Sequence, residues 1–275
     1  MLPVKKNRSV LLSTPYIIWM LAFTLIPLGV VGYYALTDSS GAFSLQNLKD
    51  LGLFADVLWQ SIEYALISAL ICLLLGYPVA YFLAHQGKVA QKILYMLVML
   101  PMCMSFLLRT LAWVGLLQDT GIINDFLDLI GIGRLQLIRT PGAVILGMVY
   151  NYLPYMILPL YAIIVKIDHR LVEAAEDLGC NGLQVFTKVI LPLSVPGILS
   201  GITMVFVPAV STFYISQKLG NSDTVLIGDI IERLFKQGNN ANLGAALSLV
   251  LMILVFVCTG IMNRFGGDEE GGVIV

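Results

Sequence analysis

Long apolar runs alternate with short polar ones along the whole chain. Six runs, at 15–36, 62–83, 93–117, 141–165, 193–215 and 243–262, are built from Leu, Ile, Val, Met and aromatic residues. A helix needs about 20 such residues to cross a hydrocarbon core of about 30 Å, so each predicts one membrane-spanning helix. Segments of about ten residues with alternating polarity are absent, which excludes an outer-membrane barrel. A seventh, shorter pattern lies at 122–132. Ile122, Ile123, Phe126, Leu127 and Ile130 fall on one side of a helix, with Asn124, Asp125 and Asp128 on the other. It predicts a short amphipathic helix at the membrane interface or a docking surface for an external partner.

Composition agrees with the pattern. The 275 residues are 58% hydrophobic and 12% charged, against about 25% charged in an ordinary soluble domain. That leaves too little polar surface to coat a water-soluble globule. The net charge of −1 provides no basic field for nucleic acid. Lys5, Lys6 and Arg8 precede the first run as in a signal peptide. The run is longer than a 7–15-residue signal core and no small-x-small cleavage site follows, so the helix is expected to be retained.

Basic residues orient the spans. With the N-terminus inside, the cytoplasmic pieces 1–14, 84–92, 166–192 and 263–275 carry Lys5, Lys6, Arg8, Lys88, Lys92, Lys166, Arg170, Lys188 and Arg264. The longer opposite loops carry Lys49, Arg134, Arg139, Lys218, Arg233 and Lys236. Both termini are therefore expected in the cytoplasm. Asp119, Asp125, Asp128, Asp223, Asp229 and Glu232 are among the acids of the outer loops.

Little in the chain suggests covalent chemistry. Cys72, Cys103, Cys180 and Cys258 form no metal-ligand spacing, and His85 and His169 lie far apart in sequence with no third ligand nearby. No metal or cofactor is expected. No GxxxxGK[ST] occurs, so the chain has no ATPase motif of its own. An ion-coupled secondary transporter, the reading from a different class, usually places acids near the midplane; these spans hold no central acid and no evident inverted repeat.

The most informative segment is LVEAAEDLGCNGLQVFTKVILPLSVPG at 171–197. Residues 171–178 are good helix formers with Leu171, Ala174, Ala175 and Leu178 along one side. Gly179 is placed to end that helix in a left-handed conformation. Leu183, Phe186, Val189 and Ile190 predict a second amphipathic helix, and Pro192 is expected to open the next span. The result is a compact helical knob.

The order Glu173-Ala174-Ala175, three residues, Gly179, nine residues, Val189-Ile190-Leu191-Pro192 resembles the EAA loop of ABC-importer permeases, with Val189 in place of Ile. The resemblance to the binding-protein-dependent importer permease family runs from about Ser61 to Met262. It is carried further by Ser105 to Trp113, Tyr150 to Tyr161, Pro196-Gly197-Ile198 with Gly201, and Leu226-Ile227-Gly228. Its texture is that of the polyamine branch. One departure lies before the last span, where Asn240-Ala241-Asn242 replaces a Trp-Pro frequent in that family.

The resemblance implies an all-α polytopic membrane protein with six transmembrane helices and the type I (MetI-like) importer fold. It implies a tail at 1–14, a first helix and external loop at 15–56, a permease domain at 57–263 with the coupling loop 166–192, and a tail at 264–275. The implied function is a polyamine (spermidine/putrescine) path in the cytoplasmic membrane of a prokaryote; related cargoes are iron(III), thiosulfate and phosphonate. The implied partners are cytoplasmic ATPase subunits gripping Glu173, Ala174, Ala175, Gly179, Val189, Leu191 and Pro192, a second homologous permease, an external substrate-binding protein and the lipid bilayer.

A polycation path should offer carboxylates and aromatic faces. Candidates are Glu63, Trp113, Tyr150, Tyr152, Tyr155, Phe213 and Tyr214. Arg109 is the one basic residue well inside a span, where a charge costs at least about 2.5–3.5 kcal/mol; it is expected to serve structural pairing or a gate. Pro27, Pro78, Pro101, Pro154, Pro159 and Pro208 interrupt the spans, with Pro154 and Pro159 expected to matter most for the gate.

Overall fold

The computed structural model describes residues 6–38, 41–44, 46–236 and 240–266. The outermost parts of the two expected tails, 1–5 and 267–275, lie outside the described residues. Six segments are long and apolar enough to cross a membrane. The described residues divide into two compact units, one of those up to 55 with those of 231–253 and one of residues 56–230 with those from 254 on.

In the first unit, α1 (Lys6–Ala35) keeps its helix through Pro15 and Pro27. Its span-length window buries nothing, leaving Trp19, Phe23 and Ile26 open to lipid. After α1 the chain turns through an antiparallel bridge between Thr37 and Phe43 into α2 (Gln46–Asp50) and a 3-10 turn, Leu51–Phe54. The turn is held by buried Asn47, whose Nδ2 donates to the Thr37 carbonyl at 2.9 Å. Ala35 packs with Ala245 and Ala246 near the start of α13 (Ala241–Gly266).

The second unit is organised by α3 (Ala55–Ala84), α7 (Pro141–Ile164) and α10 (Leu191–Val210). In lipid, helices associate through close packing and hydrogen bonds rather than hydrophobic contrast. The chain supplies small residues where that is needed. Ser61, Ala65, Ser68, Ala69, Cys72, Gly76 and Ala80 form a buried stripe along α3. Ser68 donates to the sulfur of Met148 at 3.3 Å, and Tyr77 pairs with Ser194 at 2.8 Å. A Cβ on Gly201 would stand 2.6 Å from the Met156 sulfur, and one on Gly197 would stand 3.1 Å from Ile163.

Several expectations are corrected. The third span is not one helix over 93–117. It is α4 (Lys88–Met99), a 3-10 turn Leu100–Cys103, an extended Met104, and α5 (Phe106–Leu117). Pro101 lacks an N–H and crowds the preceding turn, and the helix fails there. Pro27, Pro78, Pro154, Pro159 and Pro208, by contrast, lie inside continuous helices. The fifth span ends at Val210; a break precedes α11 (Tyr214–Leu219).

The short helix α6 (Ile122–Leu129) forms as expected, with Asp125 and Asp128 exposed and Ile123 and Leu127 half-buried, but one member of its polar side turns inward. Ile122, Phe126 and Leu129 are exposed, while Asn124 is fully buried. The Asn124 side chain donates to the Gln118 and Leu135 carbonyls at 3.1 and 2.9 Å and accepts from the Leu135 N–H at 2.9 Å. It is therefore a polar staple for the loop, its burial offset by these three hydrogen bonds.

Candidate functional site

Two places in the second unit bring the expected residues together. The first is the 166–192 loop. Asp168 caps α8 (His169–Asp177) by accepting from the Arg170 N–H. Gly179 adopts φ +83°, the left-handed conformation that ends such a helix with the least strain for glycine. Asn181 and Gln184 then form a reciprocal capping box, both bonds at 2.9 Å, which starts α9 (Gly182–Val185).

The second helix of the knob does not stop at Pro192. Residues 186–190 form a π-helical turn, and the Leu191 N–H donates to the Phe186 carbonyl. Pro192 has no N–H to continue an α ladder, so a wider turn ahead of it preserves the helix. Pro192 stands in the first turn of α10, as expected, but the helix does not begin afresh there. Residues 182–210 form one uninterrupted helical rod, about 43 Å long at 1.5 Å per residue.

The expected apolar side of 171–178 is divided. Ala175 packs with Val185 and Ile190, supported by Tyr81, Val172 and Phe186. Leu171, Ala174 and Leu178 are exposed. Glu173 is also exposed, its carboxylate 3.6 Å from the His169 ring. Inward, the Phe186 ring stands edge-on to Tyr77 and Tyr81 at 5.5 and 6.0 Å. The knob is thus fastened to α3 on its inner side and presents an acid, two leucines and an alanine outward. Val189 is half-buried against the same cluster.

The second place is a wall made by α5, α7 and α11, which pack against one another. Phe106, Arg109 and Trp113 recur on one side of α5, three to four residues apart. Phe106 faces Tyr214 at 6.3 Å between rings, and Trp113 stands edge-on to Tyr150 at 5.4 Å. Tyr152 and Tyr155 are 6.4 Å apart; the Tyr152 hydroxyl donates to the Pro208 carbonyl at 3.3 Å. Arg109 is 6% exposed, and its Nε and Nη1 are buried with no hydrogen-bond partner among the described residues. Pro154 is buried and Pro159 half-buried on α7, beside this wall in sequence.

The wall ends at a polar cavity of about 530 Å³, lined by Gln118, Asp119, Gln136, Arg139, Gln217 and Lys218. The Lys218 ammonium also lies 5.8 Å from the centre of the Tyr214 ring. Phe213 is exposed at the N-cap of α11. Glu63, in contrast, lies on the exposed side of α3, one turn from exposed Trp59. Sequence reasoning did not single out Phe106 or Lys218. The available signal was spacing, since Lys218 follows Tyr214 by one helical turn.

The sequence family described as the binding-protein-dependent transport system inner membrane component matches residues 73–266. The chain is 38% identical over 247 residues to the spermidine/putrescine transport system permease protein PotB of Haemophilus influenzae, covering 86% of each protein. It is 37% identical to the protein of that name from Escherichia coli K12, covering 86% of this chain and 90% of that one. In three dimensions it is similar to a chain of a bacterial ABC transporter involved in the import of the acidic polysaccharide alginate. The TM-score is 0.75 at 22% identity, with 96% and 97% of the two chains covered.

Proposed function

The chain belongs to the family of binding-protein-dependent inner-membrane transport components, and from that premise we propose that it is the permease subunit of an ATP-driven polyamine importer. The observation that carries the cargo is the match, across most of both chains, to two spermidine/putrescine permeases. We further propose a prokaryotic cytoplasmic membrane, both termini inside, with the 166–192 knob on the cytoplasmic side. ATP would be hydrolysed by separate subunits, a second permease would complete the path, and a substrate-binding protein would deliver cargo at the outer face.

The geometry supports a mechanism in which the protein moves rather than reacts. An ATPase subunit would grip Glu173, Ala174 and the exposed leucines, while Ala175, Val189 and the aromatic trio hold the knob to α3. Gly179 sets the knob's turn, and Leu191 and Pro192 carry its motion into α10. A helix without a break transmits displacement along its length, so force on the knob reaches Val210, three residues from Phe213. There the aromatic wall begins. Tyr214, Phe213, Trp113 and Tyr150 would offer π-faces to the ammonium groups of an extended polycation. Tyr152 and Tyr155 are proposed along the same route, Glu63 as a carboxylate standing apart from the wall on α3, and Arg109, Pro154 and Pro159 as structural or gate elements.

The Tyr214→Ala variant is expected to raise the half-saturating spermidine concentration about two- to thirty-fold, the range that one lost cation–π face supplies. Tyr214→Phe keeps the face and should stay near wild type. Uptake of labelled spermidine against concentration checks both. An unchanged Tyr214→Ala curve would remove Tyr214 from the route.

A further inference from the structure

The two histidines, 84 positions apart in sequence, line one cavity. It has a volume of about 450 Å³ and lies where α3 ends, α4 begins and α7 ends, beside the 166–192 loop. Its rim is polar, with His85, Lys88, Gln91 and His169; its floor is apolar, with Ile164 and Ile190 among others. Two span-length helices, α3 and α7, end there, which sets the cavity at the membrane interface.

We infer that this cavity binds the headgroup of an anionic phospholipid. A basic pocket between transmembrane helices, with an apolar floor, matches both halves of such a lipid. Lys88 supplies the fixed positive charge. The rim is held in place by its own bonds. The Gln91 amide donates to the Ala84 carbonyl at 2.8 Å, and His85 Nδ1 meets the Tyr81 carbonyl at 2.8 Å with its ring against that of Tyr81. The acids alongside are Glu173, 3.6 Å from His169, and Asp168, already occupied as the cap of α8. A lipid in this cavity would touch α4 and the base of the knob together. Lipid composition would then bear on the knob's position, whatever the cargo.

The test is lipid retention by the full transporter complex, extracted and then exchanged into vesicles of phosphatidylcholine with or without phosphatidylglycerol. Wild type is expected to retain phosphatidylglycerol. Lys88→Gln should weaken retention about fivefold, the loss of one interfacial lysine, and Lys88→Arg should restore it. Arg134→Gln, on the opposite loop, should behave as wild type. Inorganic phosphate without lipid should neither bind nor compete. Equal retention by wild type and the Lys88→Gln/His169→Gln double variant would overturn the inference. Binding of inorganic phosphate that is lost in Lys88→Gln would overturn the lipid as its source.

Discussion

The Glu173→Ala variant is expected to take up labelled spermidine at no more than about a tenth of the wild-type rate, while reaching the membrane in normal amounts. The size follows from truncating a contact central to a protein interface, which costs 2 kcal/mol or more, about thirtyfold. The separation of effects follows from exposure. The Glu173 side chain is 66% exposed and pairs with the more exposed His169, a pair that contributes little to folding. Loss of transport would therefore report a missing partner contact. ATP hydrolysis should persist but lose its response to cargo-loaded binding protein. Ala175→Asp makes the contrast, because it places an unpaired charge among Val185, Ile190 and Tyr81 and should unseat the knob itself. A Glu173→Ala strain with wild-type uptake would remove Glu173 from the coupling contact.

The second large effect is structural. Gly228→Ala is expected to prevent accumulation of folded complex. A Cβ at this position would stand 2.6 and 2.7 Å from the carbonyl oxygens of Thr212 and Ser211. Backbone cannot swing aside as a side chain can, so the cost lies at or above the upper end of the about 1–3 kcal/mol for overpacking. Next to it, the Ile227 N–H donates to Ser61 at 2.8 Å, so displacement of this segment also breaks a buried bond to α3. At Gly115, where nothing lies within 4 Å, alanine should be neutral or gain about 0.5–1 kcal/mol. Size-exclusion profiles and melting temperatures of the extracted complexes distinguish the two. A Gly228→Ala complex as abundant and as stable as wild type would refute the crowding argument.

These glycines show what the sequence made legible. Pro196-Gly197-Ile198, Gly201 and Leu226-Ile227-Gly228 carry the family resemblance, and the structure gives their glycines a physical reason: Gly197 and Gly201 let α7 and α10 meet, and Gly228 lets the first turn of the helix at 227–236 rest on bare backbone. The spans were legible because apolar length is a strong signal, and Gly179 because the end of an amphipathic helix needs a positive φ. The rest depended on contacts between distant residues. The π-turn at 186–190 answers Pro192 together with the need to keep 182–210 continuous. Asn124 is polar by pattern and buried by its bonds to Leu135. His85 and His169 share a cavity that no local pattern announces. In α3, the small residues at 61, 65, 68, 69, 72, 76 and 80 did form a readable stripe, although it was hidden by the high apolar content of the whole chain.

The aromatic wall was half legible. Trp113, Tyr150 and Tyr214 stood out as polarisable residues inside apolar runs, and α5, α7 and α11 bring them to one side of the unit. Glu63 remains apart from it, on the exposed side of α3. Arg109 sits within the wall and almost wholly buried, where an uncompensated charge is expensive.

The most direct test of the central claim is uptake of labelled spermidine and putrescine by cells lacking this chain, before and after its return. The account predicts that uptake from dilute polyamine falls on deletion and is restored by the wild-type chain, in a manner that requires ATP. Uptake indifferent to both deletion and return would contradict a polyamine cargo.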